Sequence, residues 1–449
     1  MRPVWITVLC ILCSVPASAE STRLTLADAV KTALDHSYDM RIAALESDRA
    51  SSALGETRAS YLPRLSVTAN AGYSNRFDER LRAVDGKGIV RTYGLSNIGS
   101  SEGWVNVYID QVLFDLAQLR LIERESLTAD ASRLAEVQRR EDVAYEVTRS
   151  YADLVRLQQL ADLAATTVAA AERTDEQARA LLSGGRALAS EREQAALFLE
   201  EARLRVRARE DDITAAARTL QRIMGNGSSA LPLLVPESLP DPGAGTIPVP
   251  GDDLLAETPE LQALSLHRRI EEATVASARA GRLPRFRVRG GYSHYGIKRF
   301  DNFPDETYVW VGMDMPIFDG FRVESAVEGA KKGVEIAELR YRATLEGKRG
   351  QIRELTQRLV DVGRRAELAE RQAANAREEW RLAELRLRAQ RSSLTQALDA
   401  NERSVQRSQG AIDARFDQVE LWASVYRALG QLADTIVADH GAAVAPVDD

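Results

Sequence analysis

From Ile352 to Gln390 the apolar and small positions recur in alternating steps of three and four: Ile352, Leu355, Leu359, Val362, Ala366, Ala369, Ala373, Ala376, Trp380, Ala383, Leu387 and Gln390. A seam held for about five heptads is a coiled-coil signal, and it constrains the fold more than any other stretch. Its middle is alanine, so the partner helix must approach closely. No proline falls between Pro316 and Pro446, which predicts an unbroken helix from about Phe321 to Gln390. At 1.5 Å per residue, about 70 residues make a rod of roughly 100 Å, too long for a compact globule.

The N-terminus predicts export. Arg2 precedes an apolar run from Val4 to Val15, and Ala17-Ser18-Ala19 is a small-residue cleavage site, so residues 1–19 read as a signal peptide. The run is shorter than the ~20 residues a spanning helix needs. Both cysteines, Cys10 and Cys13, lie within it, which leaves the mature chain without disulfides or cysteine metal sites. Neither follows the pattern expected before a lipidated cysteine, so no acyl anchor is expected. The formal net charge of −7 gives no support to nucleic-acid binding.

Past the signal, Thr25-Leu26-Ala27-Asp28 reads as a capping box opening a first helix that Ser37 ends. A second helix runs from about Asp39 to Ser60 and stops at Leu62-Pro63. The period then changes to two. Leu65, Val67, Ala69, Ala71 and Tyr73 alternate with small polar residues, and after a loop from about Arg76 to Gly103 Val105, Val107 and Ile109 alternate with Asn106, Tyr108 and Asp110. Leu116 to about Leu182 is helical, Ser183-Gly184-Gly185 breaks it, and a return helix ends at Gly225.

Residues 226–251 hold six of the fourteen prolines and read as an extended linker. The order then begins again. Thr258-Pro259-Glu260 starts a helix that ends at Leu283-Pro284, and strands follow at Phe286 to Tyr292 and Val309 to Met315. Phe318-Asp319 matches Phe114-Asp115, and Arg427 to Gly430 matches Arg222 to Gly225. The final helix repeats Leu398, Val405, Ile412, Val419 and Tyr426 at strict sevens. The organisation is thus a first structural repeat at 20–225, the linker, a second repeat at 252–437 and a tail at 438–449.

Four amphipathic strands in an exported chain predict an outer-membrane barrel, with aromatic residues near the strand ends as interfacial girdles. Four strands cannot close a barrel, and an open edge in lipid leaves backbone groups unpaired at several kcal/mol each. Oligomerisation follows: two copies give eight strands, three give twelve, and counting does not choose between them. The expected fold class is a mixed α and β membrane protein, its strands pooled in an oligomeric barrel continued by a helical tunnel.

The chain resembles the TolC-type outer-membrane efflux and secretion channels over essentially its whole mature length. The resemblance rests on Leu26-Ala27-Asp28-Ala29-Val30 with Ala33-Leu34, both Leu-Pro corners, Phe318-Asp319-Gly320 and the duplicated order of elements. It implies a homotrimer with a twelve-stranded barrel. It also implies a periplasmic adaptor and an inner-membrane pump or type I secretion ATPase as partners.

The resemblance also places candidate sites. Leu394 to Ala400 looks like the segment where the family sets a ring of acidic side chains at the periplasmic end. The family pattern carries two aspartates three apart; here the positions are Gln396 and Asp399. Threefold repetition would bring three carboxylates together, where they repel one another and attract cations. Glu191, Arg192, Arg388 and Arg391 are candidates for ion pairs between the two helical tips. Gly184, Gly185, Ser392 and Ser393 mark the tip turns where an adaptor would pack. Arg287 and Arg289 fall on the polar strand face and would line the barrel lumen, either favouring anions or pairing with Asp110 and Asp314.

Enzyme readings lack parts. His36, His267, His294 and His440 are scattered without metal-ligand spacing, and no nucleophile elbow or phosphate-binding loop occurs. No catalytic residue, cofactor or metal is expected. The expected function is a passive outer-membrane exit duct for efflux or type I secretion; the alternative is a soluble periplasmic coiled-coil adaptor or scaffold.

Overall fold

The computed structural model describes residues 24–74, 79–84, 90–95, 100–225, 251–297, 305–389 and 391–443. The expected signal peptide, nearly all of the linker and Gln390 at the end of the seam lie outside these residues.

In the first half the order is α1 (Leu26–His36), α2 (Tyr38–Ala59), β1 (Arg64–Ser74), β2 (Glu79–Val84), β3 (Val90–Leu95), β4 (Ser100–Phe114), α3 (Leu116–Ser183) and α4 (Ala189–Ile223). The second half runs α5 (Asp252–Ala256), α6 (Pro259–Ala280), β5 (Arg285–Ile297), β6 (Glu306–Asp314), α7 (Arg322–Arg388), α8 (Leu394–Leu429) and α9 (Leu432–Ala443). Two expectations need correction. The stretch from Arg76 to Gly103 is not all loop, since β2 and β3 pair antiparallel within it and β4 begins at Ser100. The Asp85-Gly86 dipeptide between them is a hairpin signal in the sequence. The boundary at 437 falls inside α9, which continues to Ala443.

Contacts divide the chain into two compact units, each drawing on both halves of the sequence. One contains residues 42–138 and 251–349, and with them the main sheet. The other contains residues 1–41, 139–250 and 350–449 and is helical where described.

In the sheet-bearing unit the strand order is β1-β4-β5-β6, antiparallel throughout, with β1 and β6 at the edges. The duplicated Phe-Asp pairs have one local job. The Asp115 carboxylate accepts the Gln118 N–H at 3.1 Å, and Asp319 accepts the Val323 N–H at 3.2 Å. Each satisfies an amide that the first turn of a long helix would otherwise leave open.

The core of the helical unit gathers Ala29, Val30 and Ala33 of α1, Val143, Val147, Tyr151 and Leu154 of α3, and Trp422 and Ala423 of α8. Leu432, Ala433 and Ile436 of α9 close it. Glu141, buried in this core, accepts the N–H of Leu432 at 2.7 Å and of Ala433 at 3.3 Å. It thereby caps a helix almost 300 residues away in sequence. Burial raises the Glu141 pKa, and the two amide hydrogen bonds oppose that rise. Along α7 the expected seam is the shielded face: Ile352, Ala366, Ala373, Ala376 and Leu387 are buried, while their flanking residues are mostly exposed.

Candidate functional site

The sheet has two unlike faces, and strand register makes them so. Directly opposed residues in antiparallel strands share a face. The pairs Leu65↔Ile109, Val67↔Val107 and Ala69↔Val105 join the apolar positions of β1 and β4. Val288↔Val311 and Phe286↔Met313 do the same for β5 and β6. All four apolar alternations therefore fall on one side, and that side is bare: Val67 is 64% exposed and Val311 72%. Leaving such a face in water forgoes roughly 25 cal/mol for each Å² of apolar surface.

The opposite face is polar and ordered. Arg289 reaches Asp110 at 3.1 Å and stacks over the Tyr108 ring at 4.8 Å. Of the alternatives open for Arg289, the carboxylate pairing is the one formed. Tyr308 and Ser293 both donate to the Asn106 side-chain oxygen, at 3.2 and 3.1 Å. Gly291 lies between Tyr108 and Tyr308, and a Cβ there would meet the Tyr308 ring at 2.7 Å. Arg287 is exposed on this face with no ion pair among the described residues.

In the helical unit the two tips are built alike. After α3, Arg186 N–H donates to Leu181 O at 2.8 Å, and Gly185 takes a left-handed φ of 68°. After α7, Arg391 N–H donates to Arg386 O at 2.7 Å. Glu191 accepts the Leu188 N–H at 2.9 Å, so its carboxylate caps the start of α4. Ser393 caps α8 by accepting the Gln396 N–H at 3.2 Å. The Gln396 side chain turns back in return, taking the Ser392 hydroxyl at 2.9 Å and facing the Ser393 N–H at 3.4 Å. Ala178, Ala195, Leu387, Leu394 and Ala397 pack the two tips together.

Asp399, one turn further along α8, is exposed and has no hydrogen bond or ion pair among the described residues. The four charged tip residues do not pair with one another within the chain. Glu191 is a cap, Arg192 meets Glu193 at 3.3 Å and Arg388 meets Glu384 at 2.6 Å. Arg391 makes no side-chain ion pair among the described residues. Near the tips Arg173 of α3 meets Glu384 of α7 at 3.7 Å, one of several ion pairs that join the helical pairs. Sequence reasoning missed it, because no local spacing connects α3 to α7.

An open four-stranded sheet with one bare apolar face, on a chain of paired long helices, defines the class: a protomer of the TolC-type channel-tunnel fold. Solved structures of that fold match 90% of this chain. They include CusC (TM-score 0.74, 17% identity, 91% of that chain covered) and VceC from Vibrio cholerae (0.74, 17%, 96%). The open-state MtrE channel of Neisseria gonorrhoeae matches over 90% of this chain and 88% of its own, with a TM-score of 0.71 and 19% identity. At these identities the likeness is one of fold.

The chain belongs to the outer membrane efflux protein family, whose model matches residues 29–226 and 251–431. Among curated relatives, the multidrug resistance outer membrane protein MdtP of Escherichia coli (strain K12) is 28% identical over 132 residues. That stretch is 29% of this chain and 27% of the relative, so the match spans about a quarter of the relative's length.

Proposed function

We propose that this protein is the outer-membrane exit duct of an export system, three copies pooling their strands into one twelve-stranded barrel. The observation that carries the reading is the aligned, exposed apolar face bounded by two unpaired strand edges. A bare apolar face finds its partner in lipid. The edges in turn demand further strands, since unpaired backbone groups are not tolerated there. Three copies rather than two follow from the resemblance to the TolC type. The helices would continue the barrel as a passage into the periplasm, and the chain would reach the outer membrane by way of its signal peptide, without an acyl anchor.

At the tip, Asp399 is the residue we assign to the constriction. It is exposed, charged and without an ion pair among the described residues, while Gln396 is occupied in the cap, which favours a single acidic ring over two tiers. The small turn residues Gly184, Gly185, Ser392 and Ser393 would admit the close approach of a periplasmic adaptor. Glu191, Arg192, Arg388 and Arg391 surround those turns as a charged collar whose cross-tip pairing would form between copies. Arg287 would add positive charge to the barrel lumen, with Arg289 neutralised by Asp110. The transport partner would be an inner-membrane pump of a tripartite efflux system or a type I secretion ATPase. Deleting each class of candidate partner in the native host and scoring cargo export separates the two.

Membrane fractionation tests the duct. The reading expects the protein in the outer membrane, released by detergent as a homotrimer. Recovery as a detergent-free soluble protein would favour a periplasmic scaffold instead.

A further inference from the structure

Among the described residues the polar face of β1 carries one charge without an ion pair, Arg64, and that of β6 carries two, Glu306 and Asp314. Arg64 opens β1 and Asp314 closes β6; both are exposed, and neither has an ion pair among the described residues. Each faces a suitable group that is already taken. Arg64 stands opposite Asp110, which holds Arg289, and Asp314 stands opposite Arg285, which reaches Asp115 at 3.7 Å.

We propose that β6 of one copy pairs with β1 of the next in the register that sets Asp314 opposite Arg64, so that an ion pair closes each seam of the barrel. The inference rests on the oligomeric-barrel reading and adds to it the register and the residues.

Three constraints narrow the register to two, and the charges select between them. The first is parity: a slip of one residue would turn the apolar positions of one strand against the polar positions of the other, so only every second register is allowed. The second is strand ends. Pro63 precedes β1 and Pro316 follows β6 by two residues, and proline brings no N–H to a ladder. With Arg64 opposite Asp314, all nine residues of β6 find partners in β1, and neither proline is drawn into the seam. Small residues then oppose large ones on the polar face, Thr68 facing Trp310 and Asn70 facing Tyr308.

The third constraint is barrel geometry. Within the chain one level runs Arg64, Asp110, Arg289, Trp310. In the proposed register Trp310 next meets Thr68, an advance of four residues per copy. That is about 13 Å along the strands for about 19 Å across them, a tilt of about 35°, within the range of membrane barrels. The register two residues short gives about 19°, outside that range, and the one two residues further, with Ser66 opposite Asp314, gives about 46°, at its upper edge. The opposite charges of Arg64 and Asp314 choose between the two that remain.

Disulfide trapping tests the proposal. The chain's only cysteines, Cys10 and Cys13, lie in the expected signal peptide, so an introduced pair has no competitor in the mature protein. Arg64→Cys with Asp314→Cys is expected to give reducible covalent oligomers in outer membranes roughly tenfold faster than Ser66→Cys with Asp314→Cys, the register two residues away. Equal rates, the reverse order, or no cross-link in protein that still trimerises and conducts would overturn the register and leave the duct standing. A wild-type protein that neither enters the membrane nor oligomerises would overturn both. Should the cysteine pair fail to assemble, charge reversal decides. Arg64→Asp is expected to lose heat-stable oligomer and Arg64→Asp with Asp314→Arg to regain it, and failure to regain it contradicts the ion pair.

Discussion

Gln396 does at the second helical tip what Glu191 does at the first. Both side chains reach back three residues to the N–H that precedes their helix, Glu191 to Leu188 and Gln396 toward Ser393. The duplicated sequence has kept the reach-back and changed its charge. Gln396→Ala should therefore loosen the start of α8 by about 1 kcal/mol, as cap losses do. Amide hydrogen exchange would read this as faster exchange confined to the first turn after Ser393. An unchanged rate would show that Ser393 alone secures the turn.

Burial of Glu141 gives the helical unit a pH dependence. Because its folded pKa is raised, the ionised carboxylate costs stability above that pKa, and the cost is absent below the unfolded value. Relative to Glu141→Gln, the wild type should gain stability as pH falls through this window and lose it as pH rises. Paired unfolding curves at several pH values measure the difference, and a wild type that gains relative to Glu141→Gln as pH rises would contradict the sign.

Gly225 ends α4 with φ of 80° against the end of α1, where an added Cβ would collide with the His36 carbonyl group. The obstacle is backbone, which cannot rotate aside. Gly225→Ala should cost about 2 kcal/mol or more, from the left-handed strain together with the displaced contact. Thermal unfolding of the purified variant checks it against Gly55→Ala, where nothing lies within 4 Å and a helix-interior alanine should stabilise slightly.

The two sheet faces should respond oppositely to charge. Val311→Arg on the bare face should cost about 2–4 kcal/mol if it lies near the bilayer midplane, and lower the yield of assembled protein in the outer membrane. Arg287→Glu on the polar face, at an exposed residue of the inner strand β5, should leave assembly near wild type. Heat-stable oligomer in membrane extracts reports both, and equal tolerance would argue against lipid on the apolar side.

Much of this architecture was legible because periodic patterns report directly on which face is covered. The Ile352–Leu387 seam is shielded as its spacing requires, and Leu65, Val105, Phe286 and Val309 begin the apolar alternations that register later aligns. What could not be read was long-range. The Glu141 cap on α9 and the Arg173–Glu384 link join helices distant in sequence, and no local spacing records them. The β2–β3 pairing was obscured by the charges and glycines of the sequence between Arg76 and Gly103. At the tip, the sequence showed that Gln396 lacks a charge. Its engagement with Ser392 and Ser393 became visible only with the side chain in place.

The most direct test of the account is single-channel conductance of the mature protein in a planar bilayer, wild type beside Asp399→Ala. A small, cation-preferring conductance in the wild type, with selectivity weakened in the variant, is the predicted result. Well-folded protein that forms no channel in either case would contradict the duct. Channels indifferent to the substitution would remove Asp399 from the constriction.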